Sequence, residues 1–410
     1  MAAAETTGFA ASPRIEPGVL DALVIGAGQA GLAAGYHLKR AGLSFEILEA
    51  RGEPGGSWPG YYESLKLFSP ARYSGLPGMP FPGSPDRYPA RDEVVGYLRG
   101  YAETFGLPVL AGKRVLRAER DAGFRLLTED GGEHRARTLI AATGSFARPH
   151  RPRFPGQGAY RGRILHAAEY RNPGPFRGKR VVIVGGGNTA VQIAHELAEV
   201  AETTLATRSP IRFMPQVLLG RDLHFWLSVS GLDRLPLGLL FDVSEPGGVV
   251  DDGTYSAAVR SGRPDRRPVF SRFTESGVVW DDGREEPVDA VLLATGYGPN
   301  LGYLGPLGAL RSDGHPDQRG GVSRAVPGLY FVGLPFQSTF ASATLRGVGP
   351  DAALVVARAR RQVARSATEP TEHSASVTPP ASPDVSPDAA LCPSRSTRSP
   401  APAGRSSSTR

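Results

Sequence analysis

Cysteine is almost absent. The 410 residues hold one, Cys392, near the end of the chain. A single thiol excludes an internal disulfide, a Cys-x-x-Cys redox pair and a cysteine-rich metal site. Long apolar runs are missing too: none reaches the ~18 residues a membrane helix needs, so no transmembrane segment is expected. The opening stretch MAAAETTGFAASPRIEPGVL has neither a basic start nor an apolar core. That predicts a short disordered leader and no secretion signal, with the cytoplasm as compartment. No stripe of basic residues interleaved with aromatics occurs, so nucleic acid is not an expected partner. The net charge of +7 then reads as an Arg-rich surface, or as a basic cleft drawing in an anionic cofactor or substrate.

Glycine, by contrast, is abundant, and it is arranged in two informative places. DALVIGAGQAGLAAGYHL, residues 21–38, and VVIVGGGNTA, residues 181–190, each run from an apolar strand through glycines into a helix. The patterns are Gly26-x-Gly28-x-x-Gly31 and Gly185-x-Gly187-x-x-Ala190. The first glycine permits the tight turn and the second lets a pyrophosphate approach the backbone. The third position must be small so that helix and strand can pack closely. The helix start supplies free N–H groups and partial positive charge. Gln29, Ala30, Asn188 and Thr189 lie in these turns and join the candidate cofactor-binding residues. One such pattern is weak evidence; two in the right strand–helix setting are strong.

The end of the following strand distinguishes them. Eighteen residues past the last small position stand Glu49, followed by Ala50, in the first unit and Arg208 in the second. A carboxylate there accepts hydrogen bonds from a ribose 2′-OH and repels a 2′-phosphate; a guanidinium does the reverse. The first loop is therefore expected to hold FAD or NAD, and the second NADPH. Two dinucleotides on one chain imply electron transfer between them. Chain context assigns flavin to the first unit, because Gly56, Ser57 and Trp58 of the sequence EARGEPGGSW add a second glycine pair beside it. The late strand GLYFVG, at 328–333, is expected to return to this unit and bring Gly333, with a helix at about 349–364, toward the flavin end.

The fold class expected is α/β, with two Rossmann-like dinucleotide-binding domains. The FAD domain is read as 15–155 plus 295–365, with the NADPH domain inserted at 156–294 and a disordered tail at 366–410. Residues 51–92 form a long irregular excursion, of the kind that often carries function. A helix is expected at 92–105 and a strand meander at 114–141. Thr143 and Gly144, and Thr295 and Gly296, end strands where the chain crosses between domains and backbone can approach a cofactor. Residues 211–270 could form a helical cap over the substrate entrance, or a contact patch. Asp281, Asp282, Glu285 and Glu286 read as a turn and a solvated edge. Tyr61, Tyr62 and Tyr73 read as loop packing, and Trp58 as either loop packing or flavin stacking. No metal-ligand spacing is present.

Several motifs, in order over about residues 20–365, resemble the flavin-containing monooxygenases, the class that includes the plant YUCCA enzymes and bacterial flavoproteins of the same group. YRGRILHAAEYR carries Tyr160, Gly162, His166, Tyr170 and Arg171 of the family fingerprint. GGSW at 55–58, LATGY at 293–297 and YESLKLFSPARYSGLPGMPFPG at 62–83 match further family segments. The resemblance implies that NADPH reduces FAD, that reduced FAD takes up O₂ as a C4a-(hydro)peroxyflavin, and that one oxygen atom passes to a small organic substrate. It implies no side-chain nucleophile, and a structural role for His166 beside the NADPH site. Animal-type members have an asparagine where Phe68 stands here, so amine or sulfide oxygenation of that type does not carry over. Two rivals stay open: an NADPH oxidoreductase passing electrons to a quinone or protein acceptor, and a flavin-bearing regulatory protein without turnover.

Overall fold

The computed structural model describes residues 19–236 and 248–368. The leader and nearly all of the tail read from the sequence lie outside these residues, as does part of the candidate cap.

The architecture is built on two sheets, the first mixed with a parallel centre and the second all parallel. The main path of the first runs Gln318–Arg319, Val322–Ser323, Leu329–Phe331, Glu133–Ala141, Leu20–Ile25, Phe45–Leu48, Val109–Leu110. Leu20–Ile25 lies centrally, with Val24 opposite Ile47 on one side and Ile140 on the other. From Ala22 onward it is buried on both faces, which is why those residues are apolar without alternation. Helix Gln29–Arg40 packs on this sheet, and helix Val348–Thr368 packs against that helix through Val348, Ala352, Val355 and Ala359. The antiparallel strands Val115–Arg120 and Phe124–Thr128 extend the sheet. The late strand Leu329–Phe331 pairs in parallel with Glu133–Ala141. More than 170 residues of chain, much of it the second sheet, separate these partners.

The second sheet runs Asp265–Pro268, Glu202–Thr207, Arg180–Val184, Ala290–Leu293, Arg163–His166, all parallel. Helix Asn188–Ala198 buries Val191, Ile193, Ala194 and Leu197 against it. The chain leaves the first sheet and returns to it side by side, with Arg148–Pro149 antiparallel to Tyr297–Gly298.

Three expectations change. The last helix continues to Thr368, so residues 366–368 are helical and the tail boundary moves. The described part of the cap candidate mixes short strands with two short helices: a hairpin, Val217–Leu218 with Arg221–Asp222, then a two-turn helix, Leu223–Ser230, closed by Gly231, and further on a helix, Thr254–Arg260, between strands Val249–Asp251 and Asp265–Pro268. It carries less helix than its apolar content suggested. Glu286 is not a solvated edge residue: it accepts from Arg267 at 2.8 Å, Arg284 at 2.9 Å and Trp280 Nε1 at 3.0 Å. A carboxylate ringed by two guanidiniums and an indole organises that corner of the second sheet, and no spacing in the sequence announces it.

Candidate functional site

Both glycine loops sit where a strand ends and a helix begins. In the first, Gly26 has φ +102° and its N–H donates to the Leu48 carbonyl at 2.8 Å. A side chain there would meet the Ala142 carbonyl oxygen at 2.7 Å. A Cβ on Gly31 would come 1.8 Å from the Gly26 carbonyl oxygen, so only glycine lets this helix lie against its strand. Gly28 caps the helix, and Gly56 faces it so closely that a Cβ on Gly56 would reach the Gly28 Cα at 2.8 Å. A Cβ on Gly333 would meet the Ala30 Cβ at 2.6 Å. Three separated segments therefore meet at the first loop, Gly56 against the Gly28 backbone and Gly333 against the Ala30 methyl.

Glu49 closes this side. It is buried, and its two carboxylate oxygens accept from Ala27 N–H at 2.7 Å and Arg51 N–H at 2.9 Å. Each oxygen keeps a further lone pair that a ribose hydroxyl can use. Ala50 and Ser57 flank this carboxylate and the second glycine pair. Trp58 donates from Nε1 to Gln29 Oε1 at 2.9 Å, and Gln29 Nε2 donates to the Ala343 carbonyl at 3.2 Å. The indole is thus tethered to the first turn of the helix and edge-on to Tyr61 at 5.5 Å.

In the second loop Gly185 has φ +147°, and a Cβ there would lie 2.3 Å from the Ala294 carbonyl oxygen. Gly187 caps the helix and faces open space. Asn188 is drawn sideways: its Oδ1 accepts from Val250 N–H at 3.0 Å and its Nδ2 donates to the Gly248 carbonyl at 3.4 Å. Ala190 is buried where the helix crosses the strand, with Thr189 in the first turn. Arg208 follows the strand directly, is exposed, and has no carboxylate within ion-pair distance among the described residues.

The helix starts distinguish these two sites from the rest of the molecule. Neither loop helix has a side-chain cap or an acidic residue in its first turn. The four other described α-helices all place carboxylates at that end. Asp92 and Glu93 lie in the first turn of Arg91–Thr104, and Asp222 caps Leu223–Ser230. Asp251 and Asp252 take the first N–H groups of Thr254–Arg260. Asp351 lies in the first turn of Val348–Thr368, where burial pushes its carboxyl up to about 6. Elsewhere the chain satisfies its own helix dipole; at the two glycine loops the amide groups are left for an anion.

The strand-end residues connect the two halves. His166 is fully buried. Its Nδ1 accepts from Ala168 N–H at 3.1 Å, which leaves Nε2 as the donor to the Gly296 carbonyl at 3.1 Å. Burial pulls its pKa down, in keeping with a neutral ring that pins one crossing strand. Thr295 Oγ1 donates to the His150 carbonyl at 2.5 Å, and His150 N–H donates to the Gly296 carbonyl at 2.9 Å. Thr143 Oγ1 lies 3.4 Å from the Tyr303 hydroxyl, and Gly144 faces open space with φ +69°. The fingerprint also reaches across. Arg171 donates to the Gly60 carbonyl, Glu63 N–H donates to the Arg171 carbonyl at 2.8 Å, and the Tyr62 hydroxyl donates to Gln192 of the second loop helix. Tyr62 is therefore a clasp between excursion and helix and not mere loop packing.

Sequence reasoning missed a polar cluster over the excursion. His224 Nδ1 is 2.8 Å from Asp222 Oδ1, and the Tyr88 hydroxyl donates to Asp222 Oδ2 at 2.6 Å. The His224 ring stacks near Phe68 and Tyr73, with centroids at 6.0 and 6.2 Å. These contacts join segments about 140 residues apart, which no local pattern could reveal. Among the described residues no group of His, Cys, Asp and Glu could hold a metal, and no helix is long and apolar enough to cross a membrane.

Residues 23–221 match the family model described as pyridine nucleotide-disulphide oxidoreductase. The disulphide in that description needs a cysteine pair, and this sequence has one cysteine. The chain is 32% identical over 340 residues to the uncharacterized oxidoreductase CzcO-like of Geobacillus kaustophilus, covering 82% of this chain and 97% of that one. It is 33% identical over 385 residues to indole-3-pyruvate monooxygenase YUCCA4 of Oryza sativa subsp. japonica, covering 82% and 86%. A flavin-containing monooxygenase from Stenotrophomonas maltophilia superposes with a TM-score of 0.73 at 36% identity, over 85% of this chain and 98% of that one. The chain belongs to the flavin-dependent monooxygenases, a family whose cofactors are FAD and NADPH.

Proposed function

We propose that this protein is an NADPH-dependent FAD monooxygenase that holds FAD at the first glycine loop and NADPH at the second. The observation that carries the reading is the pair of helix starts stripped of carboxylates, one followed by buried Glu49 and the other by exposed Arg208. The donor set fits both groups: bare glycine backbone for a pyrophosphate, a held carboxylate for a ribose diol, and a free guanidinium for a 2′-phosphate.

On this reading Gly26, Gly28, Gln29, Ala30 and Gly31 bind the FAD pyrophosphate side, and Glu49 with Ala50 the ribose. Gly56, Ser57, Trp58, Thr143, Gly144 and Gly333 line the remainder of that site. Gly185, Gly187, Asn188, Thr189, Ala190 and Arg208 bind NADPH, with Thr295 and Gly296 at the crossing. The FAD domain comprises 15–155 and 295–365, and the NADPH domain 156–294. When bound, FAD and NADPH would supply the redox and oxygen chemistry, by which one atom of O₂ passes to a small organic substrate and the other leaves as water. The protein's own work is to orient the two cofactors and keep water out. Tyr62 and Arg171 clamp excursion to second sheet, and His166 fixes the crossing strand, so the two cofactor ends are held to one another. The cytoplasm is the compartment proposed.

Arg208→Ala tests the assignment. NADPH binding should weaken ten- to a hundredfold, about 1.5–3 kcal/mol for charge-assisted hydrogen bonds to a phosphate, with NADH binding nearly unchanged. Equal losses for both nucleotides would remove Arg208 as the reader of the phosphate. Stopped-flow spectra of NADPH-reduced protein mixed with O₂ should show a transient oxygen adduct of the flavin. Its absence would favour the electron-donor alternative.

A further inference from the structure

Arg266 and Arg267 are adjacent on strand Asp265–Pro268, and the structure gives them opposite surroundings. Arg267 is neutralised: it pairs with Asp265 at 2.6 Å and Glu286 at 2.8 Å, and lies over the Trp280 ring at 5.0 Å. Arg266 points the other way. Its Nε donates to Thr207 Oγ1 at 2.8 Å, and no carboxylate lies within ion-pair distance of it among the described residues. It is half-buried. Parallel register sets Arg266 opposite Leu205 and Pro268 opposite Thr207, so the Arg266 side chain runs toward the end of strand Glu202–Thr207 to reach that threonine.

Thr207 is the residue before Arg208, and it is buried. A Cβ built on Gly186 would lie 3.8 Å from Thr207 Cγ2, so the threonine borders the second glycine loop. The Arg266 guanidinium is thereby anchored to the residue that borders the loop and precedes Arg208. Its Nε is engaged, and both terminal NH₂ groups remain to grip an anion. A guanidinium withdrawn from water without a counter-charge is costly, and a phosphate oxygen pair is the partner its fork fits best.

We infer that Arg266 is a second specificity-determining residue for the phosphorylated nucleotide: Arg208 meets the 2′-phosphate from the solvent side and Arg266 from the sheet side, with Thr207 as the positioning residue that aims it. The inference rests on the NADPH reading of the second loop and adds a residue to it.

The test uses the purified flavoprotein and two probes, 2′,5′-ADP and 5′-AMP, measured by calorimetry, which needs no substrate and no turnover. Wild type should prefer 2′,5′-ADP. Arg266→Gln should weaken 2′,5′-ADP about tenfold, the worth of one charge-assisted contact, and leave 5′-AMP unchanged. Thr207→Val, which keeps the arginine but frees it, should give a smaller loss of the same sign. Arg266→Lys guards against a folding failure: it keeps the charge and loses the fork, and should lower the preference part of the way. If Arg208→Ala lowers the preference while neither Arg266 variant does, Arg266 is not a reader and the NADPH assignment survives. A wild type that does not discriminate the two probes would overturn both.

Discussion

A methyl group at Gly31 would come within 1.8 Å of the Gly26 carbonyl oxygen, whereas the same place in the second loop already carries one, on Ala190. The two loops share a pattern and differ in enclosure. The first is faced by Gly56 and by Gly333, each too close for a side chain, and the residue proposed to select its ligand, Glu49, is buried under two backbone N–H groups. The second opens at Gly187 onto empty space, and the residue proposed to select its ligand, Arg208, stands in solvent. A site assembled from three chain segments suits a group that stays; an open one suits a nucleotide that must enter and leave in every cycle. Electrostatics follows the same division. A buried carboxylate held by fixed donors discriminates by hydrogen-bond geometry, while an exposed guanidinium acts largely through charge and is screened by salt.

The largest effect is expected from breaking the tighter loop. Gly31→Val should yield no flavin-loaded soluble protein, because the clash is with backbone and cannot be relieved by a rotamer. Ala190→Gly, its counterpart in the looser loop, should leave flavin content intact and cost about 1 kcal/mol through helix propensity. Visible absorbance per protein and thermal unfolding read both. A yellow, stable Gly31→Val protein would remove the claimed difference in packing.

Next comes the buried carboxylate. Glu49→Gln keeps shape and removes one acceptor, since an amide presents N–H₂ where the carboxylate presented oxygen. The ribose diol then faces one acceptor where the carboxylate offered two. The cost is about 2 kcal/mol, roughly a thirtyfold loss in FAD affinity, read by flavin titration of the stripped protein. Unchanged affinity would mean that the carboxylate serves the loop alone and not a ribose.

How much of this is readable from residues alone follows from range. The loops, their strands and the Glu49/Arg208 contrast are local: glycine spacing, an apolar run and an 18-residue count reveal them. The return of Leu329–Phe331 to the first unit follows from the strand's apolar run and its place in the chain, whereas its partner there, Glu133–Ala141, is shown only by the structure. Arg266 was invisible, because PDRRP has no hydrophobic alternation to say which arginine faces the loop and which faces Glu286. The His224–Asp222–Tyr88 cluster and the Tyr62–Gln192 clasp join distant segments, and a single sequence carries no signal for such pairs. Glu286 was misread for the same reason: in DDGREEP it looks like any turn charge, and only the Trp280 and Arg267 side chains make it a hub.

The smallest expected effect concerns the first residue of each loop helix, where both sites place an amide. Gln29 links Trp58 to the Ala343 carbonyl, and Asn188 links Gly248 to Val250. Each tethers its loop to a neighbouring segment. The Asn188 bonds hold a strand of the second unit; the Gln29 bonds hold the excursion and the closing loop, the two segments that enclose the first site. Gln29→Leu and Asn188→Leu each remove two hydrogen bonds, one of them long at 3.2 or 3.4 Å, and should each cost about 1–2 kcal/mol of stability. They should differ in consequence. Releasing the Trp58 indole should raise acrylamide quenching of tryptophan emission and speed flavin loss on dialysis, whereas Asn188→Leu should leave both unchanged. Equal rates of flavin loss in the two variants would show that the tethers do not account for the enclosure, which would then rest on the Gly56 and Gly333 contacts alone.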